Sequence, residues 1–172
     1  MIYRIQPVSS RKDQARAVAV LREYMAQMVS VFDTSNLASE IAAFPTYWTL
    51  PRSELLLLNS PISPVGCIGW AEQPDGAAEI RRFYLRSTVR GRGLGRFMLE
   101  SLLLRLADYG FRRCVLHTSR EMEAATGLYR ATGFRPTSPY GGFREEEFLF
   151  FERSIGSGKN MSRIRTGGVL TC

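Results

Sequence analysis

The sequence has 172 residues, of which 45% are hydrophobic and 23% charged, and it contains no apolar run of 18 residues. These values indicate one globular domain rather than a disordered or membrane-spanning chain. More than half of the net charge of +7 comes from four basic residues after Glu152, so the preceding chain is only mildly basic, which favours an ordinary solvated surface over a nucleic-acid-binding protein.

The first third of the chain predicts a strand and two helices. Residues 2–7 read as a strand, followed by a helix that Ser9 or Ser10 caps. The apolar residues of this helix recur in steps of three and four, at Val18, Leu21, Met25, Met28 and Phe32. Residues 35–43 resemble a second helix with Ser35 as its cap. Three aromatic residues follow, interpreted as lid or core packing with a substrate-binding wall as the alternative: Phe44, Tyr47 and Trp48.

The centre of the chain predicts an antiparallel meander that changes into a parallel crossover. Three strand-like runs come first, at 55–58, 65–71 and 78–86. A helix at 93–109 and a strand at 113–118 follow, and a strand, a long helix and a strand leave the two strands parallel. A helix at 122–132 and a strand at 148–151 complete the pattern.

These elements predict an α/β (α+β) fold. We expect a mixed, mostly antiparallel sheet of about six or seven strands with a central parallel pair, flanked by about four helices. Residues 1–153 form one domain in this interpretation. From 154 onward, Gly, Ser, Asn and basic residues show no period, which predicts a disordered basic tail over 154–172.

Cysteine and histidine usage argues against disulfide and metal sites. Cys67 and Cys114 lie in apolar strand-like runs, where cysteine behaves as a small buried hydrophobe. His117 is the only histidine, so neither a zinc site nor a Ser-His triad has the residues it needs. The N-terminus carries no apolar stretch ending in a cleavage site, so a cytoplasmic location is the default expectation.

The segment between the third meander strand and the long helix carries the clearest chemical signal. We call it the 90–96 loop, and it reads Arg90-Gly91-Arg92-Gly93-Leu94-Gly95-Arg96. The first turn of a helix exposes unpaired N–H groups and the positive end of the helix dipole, which together bind anions. Alternate glycines let a diphosphate approach the backbone, and the arginines can pair with its oxygens.

Two other phosphate-binding patterns do not fit the 90–96 loop. The dinucleotide pattern G-x-G-x-x-G fails because Arg96 stands at its last position counted from Gly91, and Met98 counted from Gly93. No Gly-Lys-Ser/Thr closes the run, so it is not a P-loop. A glycine-rich connection without a function is the remaining alternative.

The run Arg90-x-x-Gly93-x-Gly95, after the strand at 78–85, resembles the signature of the GNAT superfamily of N-acetyltransferases. The second half of that family's core is similar to Leu116-His117-Thr118, Ala124, Leu128-Tyr129 and Gly133-Phe134. The resemblance covers about residues 54–135. It implies an acyltransferase with acetyl-CoA as co-substrate, whose pyrophosphate the backbone of residues 90–95 holds.

The resemblance also implies where the rest of the cofactor lies. The strand end at Phe83, Tyr84 and Leu85 would offer main-chain groups to the pantetheine and the acetyl carbonyl. The cofactor would occupy the gap where the strands at 78–86 and 113–118 splay apart, in agreement with ligand binding at the carboxyl ends of strands.

Two residues match catalytic positions of the resembled family. Glu79 matches a general base, but Arg81 lies on the same strand face and an ion pair would lower the pKa that burial raises, so a structural role is the alternative. Tyr129 matches the acid that protonates the departing thiolate, with packing on the sheet as the alternative. His117 departs from the pattern and is either a structural group or a proton relay.

The leading interpretation is an N-acetyltransferase acting on a primary amine of a small molecule or a peptide. Its expected partners are acetyl-CoA and the amine acceptor, with neither a metal nor a membrane, and a homodimer is left open. The alternative is a non-catalytic acyl-CoA-binding regulatory module. Nucleic-acid binding through the basic tail is a third and less favoured interpretation.

Overall fold

The computed structural model describes residues 1–31, 33–44, 46–156 and 168–171, which form one sheet with helices on both faces. The strands are β1 Ile2–Pro7, β2 Ser53–Asn59, β3 Pro64–Glu72, β4 Ala78–Leu85, β5 Arg113–Ser119, β6 Arg135–Pro136, β7 Phe148–Ser154 and β8 Val169–Thr171. The helices are α1 Arg11–Met28, α2 Ser35–Ala42, α3 Leu94–Asp108 and α4 Glu123–Ala131, and a short 3₁₀ helix spans Ser87–Val89.

The strand order explains the mixed character that the sequence predicts. It runs β6-β7-β5-β4-β3-β2-β1-β8, and every neighbouring pair is antiparallel except β4 with β5. The parallel pairing is confined to Ala78 with Cys114 and Glu79 with Val115. Beyond Glu79 the two strands share no further register pair, so their carboxyl halves diverge. The predicted parallel pair is therefore confirmed, and it opens toward the end that precedes the 90–96 loop.

The described sheet has eight strands rather than six or seven. The two additional strands, β6 and β8, have only two and three residues, which is too short for a periodic signal. β8 lies inside the segment predicted to be a disordered tail, and it pairs antiparallel with β1. The prediction is wrong for 168–171 and also for Ser154, which ends β7, and Ile155, which is buried and donates to the Arg112 carbonyl. Residues 157–167 and 172 lie outside the described residues.

Local capping explains where the first two helices begin. Ser10 caps α1 as predicted, because its hydroxyl accepts from the Asp13 N–H at 3.1 Å while the Asp13 carboxylate accepts from the Ser10 N–H. The expectation that Ser35 caps α2 is wrong, since Thr34 is the N-cap and Ser35 is the first helical residue. The predicted apolar position Phe32 lies outside the described residues.

Two hydrophobic cores lie on opposite faces of the sheet. In β2, Leu55 and Leu57 pack with α1 and α2, whereas Leu56 and Leu58 pack with the face covered by α3 and α4. A continuous apolar run is what a strand buried on both faces requires. Successive side chains of β4 and β5 therefore point alternately toward the face covered by α1 and α2 and the face covered by α3 and α4.

Candidate functional site

The 90–96 loop presents several backbone N–H groups that lack a protein partner. The Arg90 N–H donates to Ser87 O at 3.2 Å, and the Phe97 N–H donates to Gly93 O at 3.1 Å. Between them, the amides of Gly93, Leu94 and Gly95 have no acceptor within the described residues. Gly93 is the N-cap of α3 and offers no side chain to satisfy them. The start of α3 thus has the available donors that an anion-binding surface needs.

The glycines of the loop differ in what they permit. Gly93 has φ 75°, in the left-handed region, and a Cβ added there would meet no atom within 4 Å. Gly95 instead allows a close approach, because an added Cβ would lie 3.1 Å from Leu128 Cδ2 of α4. The loop therefore keeps an open surface at Gly93, while Gly95 brings α3 close to α4.

The arginines of the loop make contacts with its surroundings. Arg90 Nε donates to the carbonyl of Leu85 at 2.8 Å, which ties the loop to the end of β4. Arg96 lies between the Glu100 carboxylate of α3 and the carbonyl of Ala131, each at 3.4 Å. Arg92 donates to Thr88 O at 3.4 Å. These contacts hold three exposed cationic groups beside the start of α3.

The strand that leads to the loop contains a β-bulge that the sequence did not predict. Arg82 has φ 55°, and the β3–β4 register shifts between Cys67 and Gly69. The Arg82 side chain is held by the Glu40 carboxylate of α2, with an ion-pair distance of 2.7 Å and only 1% of the Glu40 side chain exposed. The bulge lies immediately before Phe83, in the part of β4 that has no register partner on β5.

The three predicted residues of the strand end lie in different surroundings. The Phe83 ring lies toward α3 and α4, with its centroid 6.2 Å from that of Tyr129. Tyr84 points to the opposite face, where its hydroxyl accepts from Gln27 Nε2 at 3.0 Å. The Leu85 carbonyl is occupied by Arg90. The structure therefore brings Phe83 to the 90–96 loop, whereas the Tyr84 side chain packs beside α1.

Tyr129 of α4 is buried under the sheet. Its ring packs against Phe83, Phe134 and Phe151 at centroid distances of 6.0–6.2 Å. Burial raises the pKa of Tyr129 above its ordinary value, so the phenol keeps its proton at neutral pH. Within the part of the chain that the structure describes, its hydroxyl has no hydrogen-bond partner. A protonated and unpaired hydroxyl is what a proton donor needs.

Glu79 lies on β4 with its carboxylate 1% exposed and surrounded by donors. Oε2 accepts from Arg81 Nε at 2.5 Å and from Gln73 Nε2 at 2.8 Å. Oε1 lies 3.1 Å from His117 Nδ1. Burial raises the pKa of Glu79, but His117 and Arg81 outweigh it and hold that pKa below 4.5. The Glu79–Arg81 ion pair, which the sequence offers as the structural alternative, is present, and it favours a lowered pKa over one raised toward neutrality.

His117 joins Glu79 because of the parallel register. Glu79 lies opposite Val115, and His117 is two residues further along the same face of β5. The imidazole stacks on Phe143 at 3.9 Å and 30°, and Phe148 meets it edge-on at 5.3 Å. The contact between Glu79 and His117 was not predicted, although the predicted parallel pair contained the signal for it.

A chain of polar contacts extends this site to the α2–β2 connection. Arg81 Nη1 donates to the Tyr47 hydroxyl at 2.8 Å. The neighbouring Trp48 packs on the sheet, because its ring fills the space over Gly69. Of the predicted aromatic residues, Phe44 and Trp48 therefore serve core packing, whereas Tyr47 contacts the site. The linked groups are Tyr47, Arg81, Glu79 and His117.

The two cysteines among the described residues are buried strand residues. Cys67 and Cys114 are fully buried, and burial raises the pKa of both thiols, as expected for structural residues. Across the described ranges, no cluster of three or more His, Cys, Asp and Glu side chains is placed to hold a metal ion. No helix of the described residues has the length and hydropathy to cross a membrane.

Comparison with known proteins identifies the family. A model of the Acetyltransferase (GNAT) family matches residues 17–134. Probable N-acetyltransferase family 8 member 5 of Mus musculus is 26% identical over 121 residues, which are 69% of this chain and 51% of that protein. An uncharacterized N-acetyltransferase of Schizosaccharomyces pombe is 26% identical over 125 residues, 70% of this chain and 76% of that protein. The chain thus spans about half the length of the mouse relative.

A solved structure agrees with this assignment. The PaiA N-acetyltransferase of Thermoplasma acidophilum, crystallised in complex with coenzyme A, superposes with a TM-score of 0.68 at 18% identity. The match covers 90% of this chain and 99% of that chain. At such low identity the likeness establishes the fold. Because the family model matches most of the chain, from within α1 through the meander and the 90–96 loop to the end of α4, the chain belongs to the acetyltransferase (GNAT) family.

Proposed function

We propose that the protein is an acetyl-CoA-dependent N-acetyltransferase that transfers the acetyl group directly to a primary amine of a small molecule or a peptide. The observation that carries the proposal is the row of unpartnered amides from Gly93 to Gly95 at the start of α3. It lies beside the open end of the β4–β5 pair, where a thioester has room between the strands. The coenzyme A bound by the PaiA relative supports the same choice of ligand.

The 90–96 loop suits the diphosphate of acetyl-CoA. The amides and the dipole of α3 attract the negative charge, and the space above Gly93 admits the phosphate oxygens. Arg90, Arg92 and Arg96 add positive charge around this position. The main chain from Phe83 to Leu85 leads from the loop toward the interior, where the thioester would lie.

The two proposed catalytic residues approach the β4–β5 gap from opposite faces of the sheet. Tyr129 belongs to the core that includes Ala78 and Ile80. Glu79 alternates with those two residues, so its side chain lies on the other face. An amine entering from the Glu79 side would therefore meet the thioester carbon with Tyr129 behind it, a geometry suited to direct transfer.

The proposed reaction exchanges one bond for another. The nitrogen lone pair forms the C–N bond, the C–S bond breaks, and the sulfur leaves with its electron pair. Tyr129 donates its proton to the sulfur, and the proton of the amine moves toward the negative charge of Glu79. Because burial raises its pKa, Tyr129 carries its proton at neutral pH, which is the state from which a donor to the sulfur must start.

One observation favours the alternative of a non-catalytic acyl-CoA-binding module. The Glu79 carboxylate accepts hydrogen bonds from two other side chains and contacts the His117 ring, and its pKa is lowered, which makes it a weak direct base. A module would keep the 90–96 loop and bind the thioester without turnover.

Calorimetry and a thiol-release assay separate the two functions. Purified protein is titrated with acetyl-CoA and then tested for thiol release with a panel of primary amines, including peptides and a weakly basic amine. Binding with release from at least one amine supports the enzyme. Binding without release from any amine supports the module, and a lack of binding overturns both.

A further inference from the structure

We propose that His117 is the group that accepts the proton of the attacking amine, and that Glu79 positions and stabilises His117 instead of acting as the direct base. This inference rests on the proposed acetyl transfer and assigns the proton acceptor within it. It makes His117 a catalytic residue and Glu79 a positioning residue.

The Glu79 carboxylate is closed to a substrate by burial and by its hydrogen-bond partners. Its side chain is 1% exposed, whereas the His117 side chain is 21% exposed. Oε2 accepts from both Arg81 and Gln73, and a carboxylate oxygen has two lone pairs. Oε1 faces His117. Oε1 keeps a second lone pair, but because only 1% of the side chain is exposed, an amine could contact it only if the surrounding side chains moved.

Glu79 determines which ring nitrogen of His117 carries the hydrogen. An ionised carboxylate only accepts hydrogen bonds, so the 3.1 Å contact requires the hydrogen on Nδ1. The lone pair of the neutral ring then lies on Nε2, on the side of the ring away from Glu79. Within the described residues Nε2 has no hydrogen-bond partner. The accessible basic atom of this pair is therefore Nε2 of His117.

Aromatic rings and the held Glu79 carboxylate fix the orientation of the His117 imidazole. Phe143 stacks on the ring at 3.9 Å, and Phe148 closes one edge at 5.3 Å. Arg81 holds the carboxylate and is itself held by the Tyr47 hydroxyl. A histidine oriented by a buried carboxylate is an arrangement in which the ring accepts a proton while the carboxylate stays ionised.

The charges balance during the proposed step. The amine nitrogen forms the C–N bond and releases its proton to His117 Nε2, while the thiolate takes the proton of Tyr129. The positive charge on His117 then lies against Glu79, and no electron leaves or enters the protein. Solvent subsequently returns both side chains to their starting states.

Several ionisable groups surround His117 and belong in any account of its pH dependence. Glu79 and Arg81 lie on β4. Tyr140, in the β6–β7 connection, has its ring 6.0 Å from the imidazole, and burial together with Glu79 raises the pKa of its hydroxyl. On β7, Glu152 lies two residues from Phe150, the register partner of His117, and pairs with Arg113.

The test compares His117→Asn, His117→Gln and Glu79→Gln with the wild type. Asparagine keeps a donor for Glu79 but lacks a basic atom in place of Nε2, and glutamine serves if the asparagine variant does not fold. We expect both His117 variants to lose roughly 100-fold in kcat/KM. Acetyl-CoA affinity, measured by calorimetry, and the melting temperature should stay near those of the wild type.

The dependence of kcat/KM on pH is a measurement that a purely structural role of His117 would not change. The acceptor is a primary amine that stays neutral over the whole range, so its own ionisation adds no slope. The wild type and Glu79→Gln should lose activity toward acid pH, because His117 is present in both. The His117 variants should lose this acid limb.

Two outcomes would overturn the assignment of His117. One is a wild type that acetylates an amine while both His117 variants retain its kcat/KM within about twofold. The other is an acid limb that persists in the His117 variants and disappears in Glu79→Gln, which would return the base role to Glu79. In either case the proposed acetyl transfer stands, since it fails only if the wild type releases no thiol with any amine.

Discussion

The Glu79 carboxylate lies 3.1 Å from His117 Nδ1, across the gap between the two parallel strands. The contact exists because the short β4–β5 register sets Glu79 opposite Val115, so that His117 is the next residue on the same face. Past this pair the strands separate. The divergence to which we assign the thioester therefore has a carboxylate and an imidazole at its rim.

Toward acid pH, the free energy of unfolding of the wild type should fall more steeply than that of Glu79→Gln. The folded pKa of Glu79 lies below its ordinary value of 4.5, so the unfolded chain binds more protons as the pH falls past that value. The stabilisation is complete above pH 4.5 and is lost as the pH drops through the folded pKa. Urea unfolding at several acid pH values measures the two slopes. Glu100→Gln, on the exposed surface of α3, controls for net charge, and parallel slopes for all three proteins would contradict the expectation.

Gly93→Val should weaken acetyl-CoA binding about tenfold. A side chain there would enter the space where the phosphate oxygens approach, and one lost hydrogen bond to a charged group costs about 1.5 kcal/mol. Gly76→Val is a matched control, because Gly76 also has positive φ, at 80°, and an added Cβ there also meets nothing within 4 Å. It lies in the β3–β4 turn, so it should lose stability without losing affinity. Equal affinities of the two variants by calorimetry would argue against the loop as the phosphate site.

Much of this fold could be predicted from periodicity and turn chemistry. The capping pair of Ser10 and Asp13, the apolar run of β2 and the glycines of the 90–96 loop are local signals. Local signals also predict the parallel pair, because two strands joined by a long helix can be arranged in few ways in one sheet. The edge strand β8 carries no such signal, since it has only three residues and pairs with the distant strand β1.

The chemistry of the site was harder to predict because it depends on contacts between distant segments. Glu79 and His117 are 38 positions apart, and Arg82 and Glu40 are 42 positions apart. The sequence predicted the competition between Glu79 and Arg81, which are two residues apart on one strand. It did not predict the bulge at Arg82, where a non-glycine residue adopts φ 55° while its side chain is held by α2.

Tyr129→Phe should lower turnover on the order of 100-fold while leaving acetyl-CoA affinity nearly unchanged. The substitution removes the hydroxyl that would protonate the sulfur and keeps the ring packed against Phe83, Phe134 and Phe151. Steady-state thiol release and calorimetry measure the two quantities. Tyr3→Phe is the control, because the Tyr3 hydroxyl is buried on β1 and has no hydrogen-bond partner among the described residues. If the two variants turn over alike, Tyr129 is only a packing residue.

Arg105→Met should destabilise the protein by about 3 kcal/mol, because it leaves a buried charge unpaired. The Glu54 side chain is 6% exposed, and Arg105 binds it through Nε at 3.0 Å and Nη2 at 2.5 Å. The Tyr109 hydroxyl, at 3.1 Å from Glu54, cannot neutralise the charge that remains. Urea unfolding at neutral pH measures the loss.

The control for this ion pair is Arg96→Met, which breaks the exposed contact with Glu100 and should cost well under 1 kcal/mol. Replacing both partners with apolar residues, in Glu54→Leu with Arg105→Met, should recover most of the lost stability, since no charge is then buried alone. A single Arg105 variant as stable as the Arg96 variant would mean that water reaches Glu54. In that case the contact stabilises the protein no more than a surface ion pair does.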